Sequence, residues 1–133
     1  SVASRGLGDV YKRQIQDGTF LERCARAGIE VQAWGSMAQG IFTGAPAPSS
    51  TDEVRNLQPT IELVRQLAQE LDCSREAVVL AWLMRLPQRI RPVIGTTSSD
   101  RIRACVQADA AASNMTHEQW YRLWNVARGH DVP

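Results

Sequence analysis

Apolar residues recur with the period of an α-helix in the segment DGTFLERCARAG, residues 17–28, and the final Gly28 is a typical helix stop. The apolar positions of this helix are Phe20, Leu21, Cys24 and Ala25. The next six residues, IEVQAW, alternate between apolar and polar side chains and predict a short strand that closes at Trp34. Residues 35–53 are rich in Gly, Pro and Ser and have no period, so they predict a long loop, a feature that is usually functional inside compact domains.

Two further helices are predicted after this loop. The first has Pro59 in its first turn and one apolar face, which is formed by Ile61, Val64, Leu67, Ala68 and Leu71. The second starts after Ser74, a typical N-cap, and stops before Pro87. Because the second helix is apolar nearly all round, we expect it to be buried.

The last part of the chain predicts a strand followed by two helices. RPVIGTT, residues 91–97, predicts a short buried strand that leads directly into a helix beginning at Ser98, Ser99 and Asp100. Thr116 and Gln119 have the spacing of a capping box, and the buried stripe of the last helix is Trp120, Leu123, Trp124 and Ala127. Helices that alternate with strands predict an α/β fold with a parallel sheet, but two strands cannot close a sheet, so we expect a fragment of a larger domain.

Composition and charge narrow the classes of function. The 133 residues carry a net charge of +1, which gives no electrostatic footprint for nucleic acid or for an acidic membrane surface. Cys24, Cys73 and Cys105 match no zinc or disulfide pattern, so we expect reduced thiols and no metal site. No run of residues is long and apolar enough to span a membrane, and we therefore expect a cytoplasmic protein.

Two stretches have residues suited to binding a nucleotide. In PVIGTTSSDRIR, residues 92–103, a strand ends at a glycine, and hydroxyls and free amides lie at a helix N-terminus, where Arg101 could add a guanidinium. In AWGSMAQG, residues 33–40, Trp34 at the carboxyl end of a strand could stack on a flat ring. The alternatives are a strand-to-helix turn without a ligand and a core tryptophan beside a turn.

These two stretches, with DGTFLERCARAGIEVQAW, VVLAWLMRLP and THEQWYRLWNVARGHDVP, resemble the C-terminal third of aldo-keto reductases. The resemblance implies that residues 15–133 are the C-terminal portion of a (β/α)8 TIM barrel, with about two strands and the surrounding helices, so that the barrel is incomplete. It also implies an NADPH-dependent oxidoreductase whose partner is a small-molecule carbonyl substrate, an aldehyde or a ketone.

The resemblance also implies roles for individual residues. Trp34 would stack on the nicotinamide, and the pyrophosphate side would be lined by Gly35, Ser36 and Met37. The adenosine 2′-phosphate would be held by Thr96, Thr97, Ser98 and Arg101. Cys105 stands where many members of the family have an asparagine that contacts adenine.

The catalytic groups of the family are a tyrosine, a lysine, an aspartate and a histidine on the N-terminal strands of the barrel. This chain has one lysine, Lys12, and its candidate tyrosines and histidines are Tyr11, Tyr121, His117 and His130. None of them can be assigned to that set, so we predict no catalytic residue. The parent protein would be the enzyme, whereas the 133-residue chain alone is expected to be inactive and poorly soluble or molten.

Two other functions remain open from the sequence. The chain could belong to a nucleotide-binding regulatory subunit of the same fold, which would have no turnover. Residues 66–85 also scan as a helix-turn-helix, but the second helix lacks the polar and basic residues that a DNA groove requires, and we expect no nucleic-acid partner.

The first 14 residues have a different character from the rest. Ser4–Gln14, SRGLGDVYKRQ, fits neither the dinucleotide-binding nor the P-loop glycine pattern. Its reverse translation resembles an adapter used in transposase-based sequencing libraries. We therefore predict that residues 1–14 are a non-native scar, disordered or non-biological, that native sequence resumes near Ile15 or Asp17, and that the N-terminal barrel portion is missing.

Overall fold

The computed structural model describes residues 2–4, 19–33, 36, 38–44, 51–86 and 90–128. Three short strands form one parallel sheet in the order β1 (Val2–Ser4), β2 (Val31–Ala33), β3 (Arg91–Pro92). The α-helices of these ranges are α1 (Thr19–Arg26), α2 (Thr51–Glu70), α3 (Arg75–Met84), α4 (Ser99–Val106), α5 (Ala108–Asn114) and α6 (His117–Arg128). A 3₁₀ helix, Ala38–Thr43, follows β2.

Strand β1 was not identified from the hydrophobic pattern, which located β2 and β3. Val2 pairs with Val31, and Ser4 pairs with Ala33. This strand lies inside the segment that we predict to be a non-native scar, and the origin of that segment stays a prediction.

Helix α1 ends as its glycine predicts. Gly28 has φ +67°, and its N–H donates to the carbonyl of Ala25 at 3.2 Å, while the N–H of Ile29 donates to the carbonyl of Cys24 at 2.8 Å. These two bonds form the Schellman motif that closes a helix with a glycine in the left-handed region. The chain then enters β2, where Val31 and Ala33 are fully buried, as the alternation predicts. Ile29 was predicted to belong to this strand, but it precedes β2 and is 41% exposed.

Helix α2 starts earlier than predicted. It begins at Thr51, so that Pro59 lies inside the helix and the predicted loop is shorter and contains the 3₁₀ helix. Leu57, which lies between the predicted loop and the predicted start of the helix, is buried, so the buried face of α2 continues across the proline. Packing of this face stabilises the longer helix, although a proline inside a helix removes one backbone hydrogen bond.

Helix α3 is confirmed as a buried helix. The Ser74 hydroxyl accepts from the N–H of Ala77 at 3.0 Å, which is the predicted N-cap. Every residue from Ala77 to Leu83 is buried. Helices α2, α4 and α5, the 3₁₀ helix and β3 all pack against α3, which therefore forms the centre of the described fold.

Helix α6 begins with the predicted capping box. The backbone N–H of Thr116 donates to Oε1 of Gln119 at 2.9 Å, and the N–H of Gln119 donates to the Thr116 hydroxyl at 3.1 Å. Of the predicted stripe, Trp120, Leu123 and Ala127 are buried, and Trp124 is half-buried.

The predicted strand over residues 91–97 is shorter and more exposed than expected. Only Arg91–Pro92 forms a strand, and Val93 and Ile94 are 44% and 37% exposed. The prediction of burial was wrong because apolar composition alone cannot tell whether a neighbouring element covers a strand. Strand β3 is at an end of the sheet order, and nothing in the described ranges pairs with its outer side.

The three cysteines are free thiols, as predicted. Within the described ranges, no group of three or more His, Cys, Asp or Glu side chains is placed to hold a metal ion. No helix in these same ranges is both long enough and apolar enough to cross a membrane.

Candidate functional site

The two loops predicted to bind a nucleotide leave the same edge of the sheet. Strands β2 and β3 are parallel neighbours, and Ala33 is in register with Pro92. Ser36 therefore follows β2, and Gly95 follows β3, on the side where both strands end. In open parallel sheets and barrels, ligands bind at this carboxyl edge.

One backbone oxygen joins the two loops. The carbonyl of Ala33 accepts a hydrogen bond from the Ser36 hydroxyl at 2.7 Å and a second one from the N–H of Val93, also at 2.7 Å. Ala33 is fully buried, and Ser36 is 1% exposed. Both lone pairs of the carbonyl are thereby used, so that the start of one loop is fixed relative to the start of the other.

The Ser36 hydroxyl cannot donate its proton to a cofactor while it is bonded to Ala33. A hydroxyl has one proton, and the proton of Ser36 is engaged by the Ala33 carbonyl. Ser36 thus holds its loop against the end of β2, and a contribution to the pyrophosphate side would come from its backbone. Trp34, Gly35 and Met37, the other predicted residues of this loop, lie outside the described residues.

At the start of α4 the predicted residues lie within one turn of each other. The N–H of Ser98 donates to the Thr96 hydroxyl at 3.1 Å, and the N–H of Arg101 points to the Ser98 hydroxyl at 3.5 Å. The Thr96 hydroxyl thus shapes the turn, and Ser98 is the N-cap of the helix. Thr97 is exposed between them.

The guanidinium of Arg101 is exposed and has no ion-pair partner in the part of the chain that the structure describes. Its neighbour Arg103, by contrast, pairs with Asp100 at 3.6 Å and donates to the carbonyl of Ser99 at 3.4 Å. An unpaired guanidinium beside a helix N-terminus is suited to a phosphate group, since both favour negative charge. At Gly95 the space around the backbone is open: apart from its two chain neighbours, no described residue has an atom within 4 Å of where a Cβ would lie. This end of α4 therefore fits a phosphate.

Cys105 lies one turn after Arg101 and is buried. Burial is the main cause that raises the pKa of this thiol, and the nearby carboxylate of Glu76 raises it further, while Arg101 acts in the opposite direction. Because the thiolate is the reactive form, Cys105 is an unreactive group on the inner side of α4.

The histidine and tyrosine of α6 belong to an aromatic cluster. The ring of His117 lies 4.8 Å from that of Tyr121 in an edge-on contact, and both contact Trp120. Neither residue follows a strand, and α6 packs against α2. The structure thus places these two side chains in the helical packing.

The functional groups missed by sequence reasoning are the Ala33 carbonyl and the Val93 amide, which join the loops. Backbone groups carry no side-chain signal, so residue identity could not indicate them. The one available clue was a serine three residues after a strand, a spacing at which a hydroxyl can reach back to the end of the strand.

The chain is similar to known oxidoreductases. The sequence profile of the Aldo/keto reductase family matches residues 7–127. The chain is 32% identical over 128 residues to Oxidoreductase YdhF of Escherichia coli, which covers 96% of the chain and 39% of that protein. It is 30% identical to the Uncharacterized oxidoreductase YcsN of Bacillus subtilis over 88% of the chain and 36% of that protein. Identity to the 6-dehydroglucose reductase of Agrobacterium fabrum is also 30%, over 78% of the chain and 31% of that protein.

The chain thus spans between 31% and 39% of the length of these three curated relatives. The family profile begins at Leu7, inside the segment predicted to be non-native, and covers nearly all of the described residues. Because the match extends over both candidate loops and the helices between them, the chain belongs to the aldo/keto reductase family.

Proposed function

We propose that this chain forms the nucleotide-binding part of an NADPH-dependent aldo-keto reductase that reduces aldehydes or ketones. The observation that carries the proposal is the carboxyl edge of β2 and β3, where both candidate loops start from one shared carbonyl and where Arg101 has no ion-pair partner among the described residues. Membership of the family implies a (β/α)8 barrel and an oxidoreductase, and parallel strands flanked by helices are consistent with part of such a barrel.

The residues of this chain would bind and orient the nicotinamide cofactor. Trp34 would stack on the nicotinamide ring, and Ser36 would hold the loop that carries it. Arg101 would pair with the 2′-phosphate, with Thr97 and the N-terminal amides of α4 beside it. When bound, the cofactor supplies the hydride, while the protein supplies position and electrostatics.

The preference for NADPH over NADH rests on charge. The two cofactors differ by the 2′-phosphate, and a phosphate is stabilised where a guanidinium has no competing carboxylate. Within the described ranges Arg101 meets this condition, whereas Arg103 is engaged by Asp100. Family members in general use nicotinamide cofactors, so this guanidinium is what supports the choice of the phosphorylated form.

The 133-residue chain alone would not catalyse the reaction. No residue of the chain was assigned to the catalytic set, and His117 and Tyr121 lie in the aromatic cluster of α6. The activity would belong to a protein in which the rest of the barrel supplies the acid and the substrate pocket. We also propose that the protein is cytoplasmic. We propose no nucleic-acid partner, because the residues from Ala77 to Leu83 of α3, the second helix of the apparent helix-turn-helix, are all buried.

A matched pair of ligands tests the proposal. Titration of the chain with 2′,5′-ADP and with 5′-AMP, followed by NMR chemical shifts, compares two nucleotides that differ by the 2′-phosphate. We expect weak binding that favours 2′,5′-ADP, and we expect Arg101→Met to weaken it about tenfold, as for the loss of one charge-assisted hydrogen-bond pair.

The control is Arg103→Met, which removes a neighbouring guanidinium that is already paired. It should leave the affinity for 2′,5′-ADP unchanged. Equal affinity of the wild-type chain for 2′,5′-ADP and 5′-AMP, or equal losses in the two variants, would overturn the assignment of Arg101 to the 2′-phosphate.

A further inference from the structure

Helix α4 carries Arg101 and is attached to the rest of the described fold near its C-terminal end. Cys105 is buried and forms a small apolar cluster with Leu80 of α3 and Ala108 of α5. Ala104 is half-buried, and the other residues of α4 are exposed. The first turn, from which the side chain of Arg101 extends, therefore depends for its position on contacts made one turn later.

Ser74 supplies polar contacts at this end of α4. Its hydroxyl donates to the carbonyl of Ala104 at 2.7 Å, and its backbone N–H donates to Oε1 of Gln107 at 2.8 Å. Ala104 is among the last four residues of the helix, whose carbonyls have no partner within the helix itself. The two bonds therefore fix the last turn of α4 to the residue that precedes α3.

The same hydroxyl is the N-cap of α3, because it also accepts from the N–H of Ala77 at 3.0 Å. A hydroxyl can donate one proton and accept at the same time, so this single group joins the start of α3 to the end of α4. Every residue from Ala77 to Leu83 is buried. Ser74 therefore connects an exposed helix to the buried centre of the described fold.

Arg101 lies on the face of α4 that Ser74 holds. Residues three apart in an α-helix share a face, and they are separated by about 4.5 Å along the helix axis. Arg101 precedes Ala104 by three residues. Because α4 has 8 residues, or about two turns, a change in the tilt of its last turn displaces the guanidinium as well.

We propose that Ser74 is a positioning residue for the 2′-phosphate of the cofactor, because its bonds to α4 hold Arg101 in place beside the carboxyl edge of the sheet. This inference rests on the proposed function, in which Arg101 pairs with that phosphate. It deepens that function, since selectivity for the phosphorylated cofactor then depends on a residue that acts through Arg101.

The ratio of two affinities separates positioning from stability. The chain is titrated with 2′,5′-ADP and with 5′-AMP, and the dissociation constant of 5′-AMP is divided by that of 2′,5′-ADP. A variant that only populates the unfolded state weakens both ligands by the same factor and leaves this ratio unchanged. We expect Ser74→Ala to lower the ratio about fivefold, less than Arg101→Met, because the guanidinium is kept but is no longer held.

One rescue variant and one control variant accompany this measurement. Ser74→Thr keeps a hydroxyl at an N-cap position that threonine also favours, so the ratio should return close to the wild-type value. Thr116→Ala is the matched control, since it removes a capping bond of 3.1 Å at the start of α6, a helix that packs against α2. We expect it to leave the ratio unchanged.

Amide hydrogen exchange without a nucleotide reports on α4 itself. The N–H of Ile102 donates to the carbonyl of Ser98 at 3.0 Å, and the N–H of Trp120 donates to the carbonyl of Thr116 at 3.0 Å. These are corresponding bonds in the first turns of α4 and α6. We expect Ser74→Ala to speed exchange at Ile102 by at least about threefold relative to Trp120, because the first turn of α4 loses its support.

The proposal is overturned when Ser74→Ala keeps the wild-type ratio, when Thr116→Ala lowers the ratio equally, or when exchange at Ile102 rises no more than at Trp120. A wild-type chain that binds the two nucleotides equally would instead contradict the proposed function. Exchange at Ile102 would in that case still decide whether Ser74 holds α4, so the two failures are distinguishable.

Discussion

The packing around α3 and the surface at β3 and α4 belong to the same short chain, yet they differ sharply in how complete they are. Val79 of α3 is fully buried, whereas Val106 of α4 is 71% exposed. Helix α3 is packed by helices α2, α4 and α5, by the 3₁₀ helix and by β3, and it is joined to α6 through Trp82 and Trp120. The described residues enclose α3, whereas no described element covers the outer side of β3 or the apolar residue Val106 of α4.

Two tryptophans show how complete the helical layer is. The indole N–H of Trp82 donates to the carbonyl of Trp120 at 3.2 Å, and the indole N–H of Trp120 donates to the carbonyl of Trp82 at 3.0 Å. Their rings stack with centroids 5.3 Å apart and 5° between the planes. The pair satisfies the buried donors of both indoles and fixes α3 against α6, which lies 38 residues away in the chain.

The largest expected effect is from Trp82→Ala. It removes a fully buried ring and one of the two reciprocal hydrogen bonds, and we expect a loss of about 3–5 kcal/mol of unfolding free energy. Urea unfolding followed by circular dichroism measures it, and Trp82→Phe, which keeps a ring without the N–H, should lose less. A change smaller than that of an average surface substitution would show that the Trp82–Trp120 pair does not hold α3 against α6.

A matched pair of valines compares the two regions directly. Val79→Ala should lower the unfolding free energy by about 2 kcal/mol, because it removes two buried methyl groups and leaves a cavity. Val106→Ala should change it by less than about 0.5 kcal/mol, since the side chain is mostly in water. Both values come from the same urea experiment, and equal losses in the two variants would contradict the difference between the regions.

Removal of the N-terminal cap of α6 should cost more unfolding free energy than removal of the cap of α4. Thr116→Ala removes a capping-box bond of 3.1 Å and should cost about 1 kcal/mol of unfolding free energy. Ser98→Ala removes a longer contact of 3.5 Å and should cost about 0.5 kcal/mol or less. Thermal unfolding of the two variants ranks them, and a larger loss for Ser98→Ala would contradict this order.

The smallest expected effect is a pH dependence from two thiols. Burial is the main cause that raises the pKa of Cys73 and of Cys105. The unfolded chain therefore releases these protons first, so the stabilisation is fully present below the ordinary thiol pKa of about 8.5 and is lost as pH rises through the folded values. Unfolding free energy should decline between neutral pH and about pH 10.

The control for this pH dependence is the double variant Cys73→Ser, Cys105→Ser. It should show a shallower decline over the same range, because serine does not titrate there. The same slope in the wild type and the double variant would mean that the two thiols make no contribution.

Local features of the fold could be predicted from the sequence. The stop of α1 at Gly28, the cap of α3 at Ser74 and the capping box of Thr116 and Gln119 were all predicted and are confirmed. Each depends on residues within about five positions of each other, so the relevant chemistry is contained in a short stretch.

Features that depend on distant packing could not be predicted in the same way. The start of α2 ahead of Pro59 follows from a buried face that includes Leu57, and the exposure of Val93 and Ile94 follows from the end position of β3 in the sheet. The local sequence pattern shows that a residue is apolar, but it does not show which element, if any, packs over that residue.

The candidate site also combines features that local sequence predicts with features that depend on distant packing. Arg101, Thr96 and Ser98 were assigned together from one stretch of sequence, because a strand, a glycine and hydroxyls before a helix are local signals of phosphate binding. The bond from the Ser36 hydroxyl to the Ala33 carbonyl is local, whereas the bond from the Val93 amide to the same oxygen was decided by the parallel pairing of β2 and β3. Sequence determined which side chains could meet a nucleotide, and tertiary structure decided which of their polar atoms were already engaged, since a hydrogen bond between strands depends on the register of the sheet.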